Sequence, residues 1–182
     1  MKKAILVVSF GTTYADTRKL TIDRIEERVR ESFKDYEVTR AFTAHKIISV
    51  LNTRDGIKVD TPEEAFEKLA KEGYEEVIVQ PLHIIPGEEF EYVMKVAEGY
   101  KKYFKDLKCG RPILFFKGGE NQLPDDYEVL VEAIEEIIPV YFSIKSFIQR
   151  TDSFENSPYA TVVFESPYGG EVITKSIDLS SK

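Results

Sequence analysis

Alternation between strand-like and helix-like segments constrains this chain more than any other feature. Ala4 to Ser9 (AILVVS) is an unbroken apolar run, the pattern of a strand buried on both faces. Gly11-Thr12-Thr13 ends it, and Asp16 or Thr17 is placed to cap a helix in which Leu20, Ile22, Ile25, Val29 and Phe33 recur at helical spacing. Tyr36 to Phe42 reads as a second strand, and His45 to Leu51 as a short helix stopped at Arg54-Asp55-Gly56. Thr61, Pro62 and Glu64 fit N-cap, N1 and N3 of a capping box, opening a helix that ends near Gly73. Glu76 to Leu82 is a third strand. Pro86 and Gly87 then start a helix to about Lys105, Arg111 to Phe116 reads as a fourth strand, and Pro124-Asp125-Asp126 opens a helix reaching Ile138.

Strands alternating with helices predict an α/β fold: a doubly wound, parallel, four-stranded sheet with helices on both faces. The rhythm changes after Pro139. Thr161 to Glu165 and Glu171 to Ile177 are β-branched runs separated by Tyr168-Gly169-Gly170, the pattern of a hairpin. The expected organisation is therefore a lobe over residues 1–139 and a tail over 140–182 carrying a C-terminal β-hairpin.

Charge and cysteine usage narrow the function classes. A net charge of -7 with pI near 5.1 disfavours nucleic acid, whose phosphates need a basic face. The single Cys109 rules out an internal disulfide and fits a reducing compartment. Met1-Lys2-Lys3 precedes an apolar stretch too short for a secretory signal. No run approaches the ~20 apolar residues of a membrane span. The expectation is a cytoplasmic protein without a membrane or nucleic-acid partner.

Ligands of open parallel sheets bind beyond the carboxyl ends of the strands, where strand order reverses. Two segments leave strands in that direction with suitable groups. Ser9-Phe10-Gly11-Thr12-Thr13 offers hydroxyls, backbone N–H groups and the start of a helix, all suited to an anion. It has neither the Gly-Lys-Ser/Thr of a P-loop nor the three glycines of a dinucleotide fingerprint, and on motif strength alone a tight turn with an N-cap is the better explanation. The second segment, LHIIPGEEFE, places His83 at a strand end with Glu88, Glu89 and Glu91 close behind. That donor set suits a borderline divalent cation such as Co²⁺, Ni²⁺ or Fe²⁺. The plain alternative is a packed histidine beside acids that complement a helix N-terminus. Arg40 and Arg54 can take carboxylates or make structural ion pairs.

Taken together, KKAILVVSFGTTYADT, RAFTAHKII, LNTRDGIKVDTPEEA, EKLAKEGYEEVIVQPLHIIPGEEFE and GRPIL resemble the amino-terminal lobe of the CbiK family. These are the anaerobic sirohydrochlorin cobaltochelatases of the class II chelatase group. The resemblance is nearly collinear from Met1 to about Pro139. It implies two similar α/β lobes facing across a cleft that holds a flat tetrapyrrole. It also implies insertion of Co²⁺ (Ni²⁺ or Fe²⁺ as alternatives) without ATP or an organic cofactor, in cobalamin biosynthesis. Glu89 matches the first-lobe acid that points into the cleft, and His83 the histidine ending the same strand; both are implied to hold metal and accept protons. Ser9, Phe10, Gly11, Thr12 and Thr13 match the loop lining the cleft, and Arg54 is a candidate for substrate carboxylates.

The family's principal metal-binding histidines lie in its second lobe, one of them in a G-H-G loop to which Phe10 corresponds here. No histidine follows His83 in this chain. The expectation is a cobaltochelatase-like lobe of impaired activity that pairs with a second copy, setting two Glu89 and two His83 across one cleft. The alternative is a non-catalytic module that binds a tetrapyrrole or a metal.

Overall fold

The computed structural model describes residues 1–116, 125–135, 159–164 and 173–178. Three strands pair in parallel, with the apolar β1 (Lys3–Ser9) between β2 (Glu37–Phe42) and β3 (Glu76–Pro81). A short fourth strand, β4 (Asp106–Cys109), pairs with β3, giving the order β2-β1-β3-β4. This is the doubly wound arrangement expected from the sequence.

Successive side chains of a strand point to opposite faces. On one face Ala4, Leu6, Val8, Val77 and Val79 meet Ala65, Phe66 and Leu69 of α4 (Pro62–Lys71) and Val93 and Ala97 of α5 (Glu88–Tyr100). On the other, Ile5, Val7 and Val38 meet Val29 of α2 (Ile22–Ser32), and Phe42 packs with Leu51 of α3 (His45–Asp55). Phe66, Phe42, Leu6 and Leu51 are fully buried. Each such side chain contributes about 1.5–3 kcal/mol relative to exposure.

Local chemistry sets the element ends. Thr61 Oγ1 accepts from Glu64 N, and Glu64 Oε2 accepts from Thr61 N at 2.8 Å, so the capping box forms as predicted. Gly56 stops α3 in the left-handed region at φ 68°.

Three expectations are corrected. The first predicted helix is two, α1 (Ala15–Leu20) and α2, broken at Thr21 (φ -120°, ψ -84°), whose N–H and hydroxyl both turn back to the Thr17 carbonyl. Neither Asp16 nor Thr17 caps it: the N-cap is Tyr14, with no side-chain bond. The helix expected to reach Lys105 ends at Tyr100 and continues as one 3₁₀ turn, Lys101–Tyr103. The edge strand is Asp106–Cys109 and not residues 111–116. A half-exposed edge needs no continuous apolar run, and the charged segment DLKC takes the register with Glu76 to Val79. Gly110 then presses on Gln80 and Pro81, where a Cβ would come within 3.2–3.3 Å, and Pro112 lacks an N–H. Residues 113 and 114 nevertheless continue the edge, with Ile113 N donating to His83 O and Leu114 N to Ile84 O.

The chain divides into two compact units, Met1–Leu130 and Val131–Lys182, with the division inside α6 (Asp126–Glu135). In the second unit β5 (Tyr159–Phe164) and β6 (Ile173–Asp178) pair antiparallel. The predicted Tyr168-Gly169-Gly170 turn and the expected helix end at Ile138 lie outside the described residues.

Candidate functional site at the carboxyl edge of the sheet

Strand order β2-β1-β3 fixes where a crevice opens. From β1 the chain crosses to one side to form β2, and later to the other side of β1 to form β3. The switch point lies between β1 and β3, at their carboxyl ends. The segments leaving those two ends are residues 9–13 and residues 82–89, the two singled out in the sequence.

The first segment is held to its neighbours through the backbone. Thr43 N donates to Ser9 O at 2.9 Å and Ala44 N to Phe10 O at 3.3 Å. Ser9 is buried, and its Oγ has no hydrogen-bond partner. Phe10 projects outward, 52% exposed. Gly11 adopts φ 90° directly against the Phe42 ring, where a Cβ would lie 2.5 Å from Cδ2. Thr12 Oγ1 accepts from Tyr14 N. Thr13 O accepts from Arg54 Nη2, while Arg54 also grips Asp55 through Nε–Oδ1 (2.8 Å) and Nη2–Oδ2 (2.7 Å). Arg54 thus reaches the loop but carries its own carboxylate, which raises its pKa and lowers that of Asp55.

The second segment begins where Leu82 N donates to Val8 O. His83 follows. Its imidazole is half-buried, and neither Nδ1 nor Nε2 has a partner. Burial pushes its pKa below the usual 6.5, opposed by the charge of Glu89. The ring is therefore neutral near pH 7, the state in which a nitrogen can bind a metal. Glu89 is the second residue of α5, half-buried, in a first turn that also holds Glu88 and Glu91. Among the described residues no group of three or more His, Cys, Asp or Glu is placed to hold a metal ion, and Glu89 is linked to His83 through its charge. Ile84 and Ile85, 60% and 58% exposed, add to Phe10 an apolar rim on both sides of the switch point.

Two residues near this edge escaped the sequence reading. Thr43, just beyond β2, is buried with its Oγ1 unpartnered; a hydroxyl one residue past a parallel strand was the available signal. Tyr92 donates to Glu63 Oε2 at 2.5 Å, and burial with the nearby charges of Glu63 and Glu89 raises its pKa. It ties α5 to α4 beside Glu89, and nothing in the sequence marks it.

Residues 3–157 match the family model for cobalt chelatase (CbiK). That match runs past residue 139, where the likeness was expected to end. A sirohydrochlorin cobaltochelatase of Salmonella typhimurium is 41% identical over 139 residues, covering 76% of this chain and 50% of that protein. Sirohydrochlorin cobaltochelatase CbiKC of Nitratidesulfovibrio vulgaris is 34% identical over 119 residues, covering 64% of this chain and 42% of that one. The chain thus spans about half the length of the curated relatives it matches. Among solved structures, a cobalamin (vitamin B12) biosynthesis CbiX protein from Marinobacter aquaeolei is 17% identical, with a TM-score of 0.48, covering 75% of this chain and 92% of that one.

Proposed function

The chain belongs to the cobalt chelatase (CbiK) family, and from that premise we propose that it acts on a sirohydrochlorin-like tetrapyrrole, delivering Co²⁺ to the ring in cobalamin biosynthesis. As an enzyme it would be a lyase forming nitrogen–metal bonds, with the metal as substrate and no organic cofactor; Ni²⁺ and Fe²⁺ satisfy the same donors. The observation that carries the reading is His83: a histidine at the switch point of a chelatase-family lobe, with both ring nitrogens buried and unpartnered, and Glu89 beside it.

Metal insertion exchanges two pyrrole N–H protons for one Co²⁺. Neutral His83 and the Glu89 carboxylate hold the entering ion at the ring's edge, and each is a base able to accept a departing proton. Phe10, Ile84 and Ile85 offer apolar surface to the flat ring. Ser9, Gly11, Thr12 and Thr13 offer hydroxyl and N–H groups to its acid side chains, and Arg54 a guanidinium. Absorbance spectroscopy of the protein mixed with Co²⁺ and sirohydrochlorin tests this. Insertion faster than the protein-free rate, lost in Glu89→Gln and His83→Ala, is the expected result; a rate equal to the protein-free control overturns it.

A second reading, a module that binds the tetrapyrrole or metal without insertion, is favoured by the size of the donor set, since two protein ligands are fewer than a closed site uses. A spectral change on mixing protein and ring, with no metal entering, selects it. Pairing of two copies about a two-fold axis would double the donors across one cleft and give the ring a second wall. Light scattering reports this, and a monomer mass at tens of micromolar would remove the dimer. Among the described residues no helix is long and apolar enough to cross a membrane; the cytoplasm, with its reduced thiols and soluble substrate, is the proposed site of action.

A further inference from the structure

Buried charges in this lobe are matched with one exception. Glu26, 1% exposed, accepts from Arg40 and Arg30, and buried Asp126 accepts from Arg111 and from the N–H groups of Phe115 and Phe116. Arg18 differs. It is 9% exposed, its Nη1 is buried with no hydrogen-bond partner, and no carboxylate among the described residues forms an ion pair with it. A guanidinium cannot shed its charge to escape burial. An unpaired buried charge is costly until an anion meets it. A packing role alone does not account for this. Arginine used as a packing arm buries its stem and keeps its head in water, whereas here an atom of the head is buried.

The surroundings indicate which anion. Arg18 N donates to Tyr14 O, so the residue sits one helical turn beyond the 9–13 loop. Its charge reaches Asp55, whose carboxyl pKa is lowered chiefly by Arg54 and further by Arg18. Both Asp55 oxygens are taken by Arg54, which also holds Thr13 O. Asp55 is therefore committed to Arg54 and acts on Arg18 only at longer range, leaving the Arg18 charge in surplus. In a chain of net charge -7, such a surplus is a local attractor for an anion.

We infer that Arg18, with Arg54, forms a carboxylate-binding subsite beside the 9–13 loop that takes an acid side chain of the tetrapyrrole. The identity of the ligand rests on the chelatase reading; the need for an anion rests on Arg18 itself. Arg18 positions the substrate and takes no proton. Arg18→Met keeps the length and removes the charge, and Arg18→Lys keeps the charge without the fork.

Two measurements test the inference: thermal stability in citrate against chloride at matched ionic strength, and fluorescence titration with metal-free sirohydrochlorin. Arg18→Met should be at least as stable as the native chain in chloride. It should lose the citrate-dependent rise in Tm and bind sirohydrochlorin about 10- to 100-fold more weakly, with Arg18→Lys between. Unchanged citrate response and unchanged affinity in both variants overturn the subsite, as does a destabilised Arg18→Met with native affinity, since that describes a structural arm. A native chain that responds to citrate but not to sirohydrochlorin keeps the anion site and removes the tetrapyrrole reading. One that responds to neither removes both.

Discussion

Gly11→Ala is the substitution whose effect follows most directly from the fold. Two independent penalties meet at this position. At φ 90° an L-residue is strained, at about 1–2 kcal/mol. A Cβ would also stand 2.5 Å from Cδ2 and 2.7 Å from Cγ of Phe42. That ring has little room to retreat: Phe42 is fully buried against Leu51 and Val59, and Arg40 lies over it with Cζ 5.6 Å from its centroid. Forcing a methyl group into such packing costs about 1–3 kcal/mol. The sum is about 2–5 kcal/mol, a large share of the ~5–15 kcal/mol that holds a domain together.

Gly56 supplies the internal control. It too is left-handed, at φ 68°, but a Cβ there meets nothing within 4 Å. Gly56→Ala should show the backbone penalty alone, and the difference between the two variants isolates the contact with Phe42. Urea unfolding followed by far-ultraviolet circular dichroism measures both. A Gly11→Ala variant no less stable than Gly56→Ala would show that the β1–α1 loop is not seated on Phe42. Ligand affinity is a separate readout, because a loop displaced by the methyl group should also lose tetrapyrrole binding, whereas one that only turns should not.

Three further outcomes are expected. Glu26→Ala removes the acceptor of Arg40 Nε (2.6 Å) and Nη2 (2.7 Å) inside the α2–β2 contact and should cost about 3–5 kcal/mol in urea unfolding; Glu26→Leu combined with Arg40→Met should recover most of it, and failure to do so would locate the cost elsewhere. Asp126, held to about pKa 2 by Arg111 and the Phe115 and Phe116 N–H groups, stabilises the fold above its ordinary 3.8 and loses that contribution as pH falls toward 2; Asp126→Asn should flatten a Tm-against-pH curve across that window. His83, with its pKa lowered by burial, favours the fold and metal binding when neutral. Calorimetric Co²⁺ affinity should therefore weaken as pH drops below 6.5 and vanish in His83→Ala, and pH-independent binding would return His83 to a packing role.

What could be read in advance follows physical lines. β1 is buried on both faces, and burial writes a continuous apolar run into it; β2 and β3 keep partly exposed positions among their buried ones, and turn signals at their ends mark them instead. The capping box at Thr61–Glu64 and the stop at Gly56 are local signals, and both formed. β4 was misplaced because an edge strand lacks the constraint that makes apolar runs: DLKC carries charges, while the apolar residues 112–116 lie beyond it, with Phe115 and Phe116 anchored by Asp126. The break at Thr21 depends on one hydroxyl returning to the Thr17 carbonyl, which helical spacing does not record. At the candidate site, His83 and residues 9–13 stand out in the sequence because they closely follow strands, and Glu89 because it lies in the first turn of the helix that comes next. Arg18 and Thr43 were not, because what distinguishes them is the absence of a partner, a property of the fold and not of any motif.

The distribution of those missing partners supports the carboxyl edge as the proposed ligand surface. Among the described residues, buried side-chain atoms without a hydrogen bond occur on Ser9, Arg18, Thr39, Thr43 and His83. Random imperfection would scatter them through both layers of the core, yet only Thr39 lies inside a strand away from the carboxyl edge. Ser9, Thr43 and His83 close β1 or follow β2 and β3, and Arg18 follows the loop that β1 feeds. Each unmatched group costs about 1–3 kcal/mol, more when charged, so a lobe shaped for stability alone would have apolar side chains at these positions. Carrying the cost at one edge is what a pre-formed site requires, since a ligand that supplies the missing partners recovers it on binding. Ligand binding and stability should accordingly trade against each other there: Thr43→Val, which replaces an unmatched hydroxyl with a methyl group, should raise Tm and weaken tetrapyrrole binding together. A loss of Tm in that variant would mean that Thr43 has a partner within the fold and that the edge is not a ligand surface on its account.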